Sequence, residues 1–576
     1  MMLFPPHLRL LLRSVNMICL FFIVSSVISA DIWHVSQMKW NWLDSHWVIN
    51  QAISRPDFWT YNEYETLGRD FSGYSLFYQT SHRIYGVDSE YGALWQYVVN
   101  YAIHALIIIG TSVLLLQHIP SRVSALFSLL LITLQSSGPE VYLSHIKNEH
   151  FGTLWIILIC IITTYGYRFG NHISFLKHFL IAVSVLACTA FSIGFLGKEP
   201  FIVFVIAVLL SRLVIPLLTK QSIIRVTPVD KYILSMVAGS LIYFAYRTIT
   251  GVKLPFEGSY SSMLLSASFL DSIYTFQLYL FHSIDIILLI LVAHFLLIYA
   301  YFTYQSVPGF DVSSLYICHT CALFSSLYVV FYVFFIRYAG PYYLYPAAVT
   351  SIISMAVLLE SPMLSELRKS RVLRLLFLCF LTILLLFTLS RWLSRSIAMV
   401  SVTQSVNHIS LIISRTPANT RILLHPFKRS DDRVGGLHIL MTHIYQRNDI
   451  IFQSLDASDP VTPCDSVWLL TTGTAPTSRR FGFGVRDLNG WSDNTSKADV
   501  TLISRDHNWT LTRLDFGNSQ QSVPLYLYPA WDLQPSGMTR SWTTLLATSI
   551  TLEWDFYKVT PNMIGNTGLI TCANAR

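Results

Sequence analysis

Residues 373–390 read LRLLFLCFLTILLLFTLS, with Arg374 as the one charge. As a helix this run reaches about 27 Å, close to the ~30 Å hydrocarbon thickness of a bilayer. Ten further apolar runs precede it, near 12–30, 96–117, 121–136, 151–167, 178–196, 200–218, 232–248, 278–303, 315–336 and 341–359. The pattern predicts an α-helical polytopic membrane protein with about eleven transmembrane helices over 1–390. Beyond 390 the sequence turns polar, and 391–576 is expected to form an α/β domain outside the membrane.

Composition fits a lipid solvent. The 576 residues are 53% hydrophobic and only 12% charged, against roughly 25% charged in soluble domains. A net charge of +7 in a soluble chain would suggest nucleic acid, but here Lys and Arg fall largely in short loops, where they set orientation, so no nucleic-acid partner is expected. With the N-terminus cytoplasmic, the inner loops hold Arg122; Arg168 and Lys177; Lys220, Arg225 and Lys231; and Arg368, Lys369, Arg371 and Arg374. An odd number of crossings then places the C-terminal region outside. The N-terminal run follows Arg9 and Arg13 like a signal peptide, yet lacks a convincing small-residue cleavage site and reads as a retained helix.

Two segments fall outside the membrane under this assignment, 31–95 and 391–576. In the tail, RILLHPF, DSVWLLTTG, ADVTLIS and ITLEWDFY read as strands and GGLHILMTHIYQ as a helix. Cys464 and Cys572 suit a disulfide if the tail meets an oxidising compartment, and Asn494-Thr-Ser and Asn508-Trp-Thr are glycosylation sequons. Cys318 and Cys321, a CxxC inside LYICHTCALF, read as buried small hydrophobes. No repeat, low-complexity tract or phosphate-cradling glycine motif is present, which argues against an ATP-driven machine.

The first outer segment holds eight acids against four bases and is rich in Trp and Tyr, so it is expected to lie on the bilayer as amphipathic helices, with rings on which sugars could also stack. Its stretch Asp44-Ser-His-Trp-Val-Ile-Asn-Gln-Ala52, followed by Tyr85-Gly86-Val87-Asp88-Ser89 and a helix bearing Asn100 and His104, resembles the opening of the GT-C superfamily of polytopic membrane glycosyltransferases. The layout is similar to that of protein mannosyltransferases and lipid A aminoarabinose transferases. Lys147-Asn-Glu149-His150, Gly197-Lys198-Glu199-Pro200 and Arg337-Tyr338 with Pro341 and Pro346 follow in the matching order, all on the expected outer face. The likeness covers roughly residues 10–390.

The resemblance implies a polyprenyl-phosphate-linked sugar as donor, a lipid, glycan or protein as acceptor, and inversion at the anomeric carbon; a bacterial plasma membrane is the expected location, and an ER membrane with the lumen in place of the periplasm has the same sidedness. Such a transfer needs a carboxylate to take the acceptor proton and cations to hold the leaving phosphate. Asp44 is the first candidate base. Ser45 stands where many relatives carry a second acid, so Asp31, at the end of the first helix, and Asp70 remain alternatives. Lys198 and Arg337 are the phosphate-side cations, and His46, Glu149 and Glu199 the further substrate-binding or acidic candidates. The sequence assigns no cofactor, and a divalent cation is allowed. The competing expectations are a transporter, which would favour internal repetition and charges within the membrane, another envelope transferase or polymerase, and a noncatalytic scaffold.

Overall fold

The computed structural model describes residues 6–39, 90–119, 121–143, 149–169, 174–193, 199–218, 227–250, 283–304, 312–336, 341–360, 370–425, 437–455, 466–474, 503–513, 520–525 and 548–562, with a few isolated positions between them. It divides into two compact units, residues 1–35, 55–77 and 97–393, and residues 36–54, 78–96 and 394–576.

The first unit is helical. Its helices are α1 (Pro6–Ser36), α2 (Glu90–His118), α3 (Arg122–Thr133), α4 (Gly138–Tyr142), α5 (Glu149–Phe169), α6 (Phe175–Phe191), α7 (Ile202–Leu218), α8 (Pro228–Thr250), α9 (Ile284–Tyr304), α10 (Val312–Phe331), α11 (Tyr345–Glu360) and the start of α12 (Arg371–Ser414). Among the described residues seven stretches are long and apolar enough to cross a membrane, in α2, α5, α8, α9, α10, α11 and α12; the shorter apolar helices Leu20–Ser36, Ser124–Thr133, Phe175–Phe191 and Ile202–Leu217 lie over the other four runs. Outward faces carry exposed apolar side chains such as Leu116 on α2, Phe302 on α9 and Ile383 on α12, a surface suited to lipid rather than water.

At the middle stands α11, buried almost all round and packed against α3, α5, α9 and α10. Ala347, Ala348, Ser351 and Ser354 keep its neighbours close, as small residues do between membrane helices, and the Ser354 hydroxyl donates to the Cys318 carbonyl at 3.0 Å. Cys318 and Cys321 are fully buried free thiols on α10, in line with their reading as small hydrophobes.

Two expectations need correction. The run at 373–390 belongs to a 44-residue helix that continues well past it, because arginines and hydroxyls lower hydropathy without ending a helix. Likewise α1 extends through Ser36, so Asp31 belongs to a helix rather than to the outer loop. The rest of that loop, with its expected amphipathic helices, lies outside the described residues except for its ends.

The second unit carries a six-stranded sheet of β1 (Thr420–His425), β2 (Ile451–Ser454), β3 (Ser466–Thr474), β4 (Trp509–Arg513), β5 (Gln520–Leu525) and β6 (Thr548–Pro561), in the order β2-β1-β3-β6-β4 with β5 also on β6. β1 is parallel to β2 and β3, while β6 is antiparallel to β3, β4 and β5. Leu423, Val467, Leu469, Tyr557 and Val559 pack with Ile503 on one face; on the other, Trp468 stacks on Phe556 at 4.9 Å. The helix read in GGLHILMTHIYQ is present over 437–444. Most of ADVTLIS, residues 498–502, lies outside the described residues; its last two, Ile503 and Ser504, open a helical turn, and a strand follows as β4.

Candidate functional site

Among the described residues of the first unit, one buried polar cluster gathers side chains from five helices. Asp31 enters from the last turns of α1, Tyr101 and His104 from α2, Tyr142 from α4, Tyr345 from the start of α11 and Trp392 from α12. Asp31, His104, Tyr142 and Tyr345 are fully buried. Local signals place them: Pro139 stands in the first turn of the short helix α4, where proline is tolerated, and Tyr142 is its last residue. Pro346 stands likewise in the first turn of α11, one residue after Tyr345.

The Tyr142 hydroxyl donates to Asp31 Oδ1. The Trp392 indole N–H lies 3.1 Å from that oxygen and 3.1 Å from the Tyr142 hydroxyl, so three side chains distant in sequence close a triangle. His104 Nδ1 shares a hydrogen bond of 2.7 Å with the Tyr345 hydroxyl, and its ring lies 5.0 Å from that of Tyr142. Tyr101 meets Tyr142 edge to face at 5.4 Å, and His34 meets Trp392 edge to face at 5.9 Å. Three polar atoms remain buried without a hydrogen-bond partner: Asp31 Oδ2, His34 Nδ1 and His104 Nε2. Buried polar atoms are nearly always satisfied, so the cluster presents one acceptor and two imidazole nitrogens with capacity to spare.

Beside it lies a second buried carboxylate. Asp285, in the first turn of α9, pairs with Arg391 Nη1 at 3.3 Å, and the guanidinium rests 4.5 Å over the Phe387 ring. Its Oδ2 is also without a partner.

A further group assembles around Glu149, fully buried in the first turn of α5. Gly152 lets the Phe201 ring approach so closely that a Cβ there would lie 2.1 Å from it; this seats the turn Glu199–Phe201 against the opening of α5. Phe201 in turn meets Tyr328 at 5.6 Å, and Glu149 is within electrostatic reach of Tyr279, Tyr328 and Tyr332. α10 ends in a π-helical turn, Tyr332–Ile336, a widening often found at functional sites. Tyr332 stacks on Tyr343 at 4.4 Å, so the segments on either side of Arg337 touch.

Of the expected site segments, the structure brings the turn Glu199–Phe201 against the opening of α5 at Glu149 and places Asp31 in a different buried group. Asp44, His46, Asp70, Lys198, Arg337, Cys464 and Cys572 lie outside the described residues, as does the Glu199 side chain. No three His, Cys, Asp or Glu side chains come together as a metal site among the described residues. Tyr142, Tyr345, Asp285, Arg391 and Trp392 went unsingled in the sequence. One signal was available for two of them, since Arg391 and Trp392 abut an apolar run where a buried charge needs a partner.

No family model matches this chain, and no curated protein and no solved structure matches it.

Proposed function

We propose that this chain is an inverting membrane glycosyltransferase that takes a sugar from a polyprenyl-phosphate donor and passes it to a hydroxyl-bearing lipid, glycan or protein on the outer face of the membrane. In this reading all eleven apolar helices cross, the N-terminus is cytoplasmic, and the sheet-bearing unit lies outside a bacterial plasma membrane. The observation that supports it is Asp31: a buried carboxylate with two donors on Oδ1 and nothing on Oδ2. A base needs this asymmetry, with one oxygen fixed and the other facing the proton to be removed.

The chemistry balances without a cofactor. The acceptor O–H gives its proton to Asp31 as its oxygen attacks the anomeric carbon, the bond from that carbon to the phosphate oxygen breaks, and polyprenyl phosphate leaves with the electron pair. Cations on the opposite side would meet the growing negative charge; Lys198 and Arg337 are the candidates. Among the candidate bases, the surroundings of Asp31 favour it, while Asp44 and Asp70 remain rivals to be tested alongside.

The test is release of free polyprenyl phosphate from a panel of lipid-linked sugars, using purified protein with membrane extract as acceptor. Consumption of one donor by the wild type and not by Asp31→Asn supports both transfer and base. Equal consumption by both moves the role to Asp44. Uptake of a solute into proteoliposomes, with no donor consumed, would favour a transporter.

A further inference from the structure

We propose that Trp392 is a positioning residue that aims Asp31, and that the ion pair formed by its neighbour Arg391 sets the register of the helix carrying it. The inference deepens the reading of Asp31 as a base and rests on it.

Most of the apolar stretch of α12 is exposed, as at Leu375, Leu378, Ile383 and Leu386. Arg391 and Trp392 depart from that pattern, at 1% and 3% exposure. Consecutive helical residues point about 100° apart, so the two engage different neighbours, Arg391 meeting Asp285 on α9 and Trp392 meeting Asp31 on α1. A shift of the helix by one residue, about 1.5 Å, would break both contacts together.

The indole is fixed before it donates. Val27, Leu130 and Leu134 pack around it, and His34 meets it edge to face. Indole N–H is a donor only, so it cannot exchange a proton with the carboxylate; it can only orient it. By occupying Oδ1 together with Tyr142 it leaves Oδ2 as the oxygen that faces a substrate. The titratable groups around Asp31 among the described residues are Tyr142, Tyr101, His34, His104 and Tyr345; Trp392, whose indole N–H only donates, is not one of them.

The experiment compares Trp392→Phe, which keeps an aromatic body and removes the N–H, with wild type and Asp31→Asn. A second variant carries benzothienylalanine at position 392, in which sulfur replaces N–H within the same ring outline, so packing is retained if Phe disturbs folding. Two readouts are taken. One is sugar transfer, where kcat should fall about 10- to 100-fold, the usual loss for a hydrogen bond to a charged group, with KM for the donor changed less than about threefold and the acid limb of the pH profile moved upward. The other needs no transfer: labelling of Asp31 by dicyclohexylcarbodiimide, a hydrophobic reagent that attacks protonated carboxyls, located by mass spectrometry. Both variants should label more heavily than wild type at a given pH, with a higher midpoint, and Asp31→Asn should not label at that position. Unchanged labelling and pH profile in the benzothienyl variant would overturn the proposal and leave Trp392 as packing alone. Shifted labelling with no sugar transfer by the wild type would keep the positioning role and sink the glycosyltransferase reading.

Discussion

Asp31 and Asp449 are opposite solutions to holding a carboxylate. Asp449, on the short loop before β2, is partly exposed and filled: Arg447 donates to its two oxygens at 2.7 and 2.8 Å, and the Asn419 amide adds 2.8 Å. The same guanidinium caps the end of α12 through the carbonyls of Ser414, Thr416 and Pro417. That arrangement holds the Asp449 carboxyl well below the usual carboxylate range, the Arg447 hydrogen bonds being the main cause. Asp31 is buried, takes the neutral donors Tyr142 and Trp392 on Oδ1 among the described residues, and keeps Oδ2 without a hydrogen-bond partner. A filled carboxylate is a clamp. One left half-filled in a dry interior has a use for its free side, because folding alone would favour satisfying it.

The largest effect that could break this contrast is at Asp31 itself. Asp31→Asn is expected to lower transfer by about 10²- to 10⁴-fold, the range for losing a general base, with the fold intact by circular dichroism; retained transfer would make Asp31 a clamp like Asp449. Next comes Asp285→Ala, which removes the carboxylate that pairs with the buried Arg391 guanidinium. Thermal unfolding in detergent should show a loss of about 3–5 kcal/mol, and a loss below 1 would mean that the pair is not buried as described. Gly152→Ala tests the neighbouring Glu149 group. Its Cβ would press on Phe201, costing about 1–3 kcal/mol, and Phe201→Leu in the same chain should recover part of that.

The smallest effect belongs to the clamp. Because the folded-state pKa of Asp449 is depressed, its stabilisation is full above the unfolded carboxylate pKa near 4 and is lost as pH falls below that. Partial exposure and screening limit it to about 0.2–1 kcal/mol. Hydrogen exchange around residues 414–425, corrected for the intrinsic pH effect, should lose protection toward acid in the wild type and be low throughout in Asp449→Asn. A large loss there would erase the distinction between the two carboxylates.

What the sequence revealed follows from what each signal measures. Apolar runs report exclusion from water, whether by lipid or, as for α11, by other helices, and every run has a helix over it; they do not report where a helix stops, which is why α12 continues to Ser414. Alternation located β1, β3 and β6, whose side chains pack on both faces, but β2 has only four residues and offers no period to detect. The candidate site is less legible still. Asp31 stood out by its place after an apolar run, but Tyr142 lies 111 residues away and Trp392 361, and no local pattern encodes which distant donors will meet. Glu149 and Glu199 were visible as charges between apolar helices; that a glycine brings their segments together was not.

The position of β6 bears on how the chain is made. Three strands, β3, β4 and β5, pair with it, and all three leave the ribosome before residue 548. Until then one edge of β3 has no partner, and β4 and β5 have none in this sheet. The membrane helices are therefore synthesised and inserted while the sheet is still open, and it closes late. Exposed strand edges are where nascent chains aggregate, so shielding of β3, β4 and β5 until β6 is made should affect production of this protein.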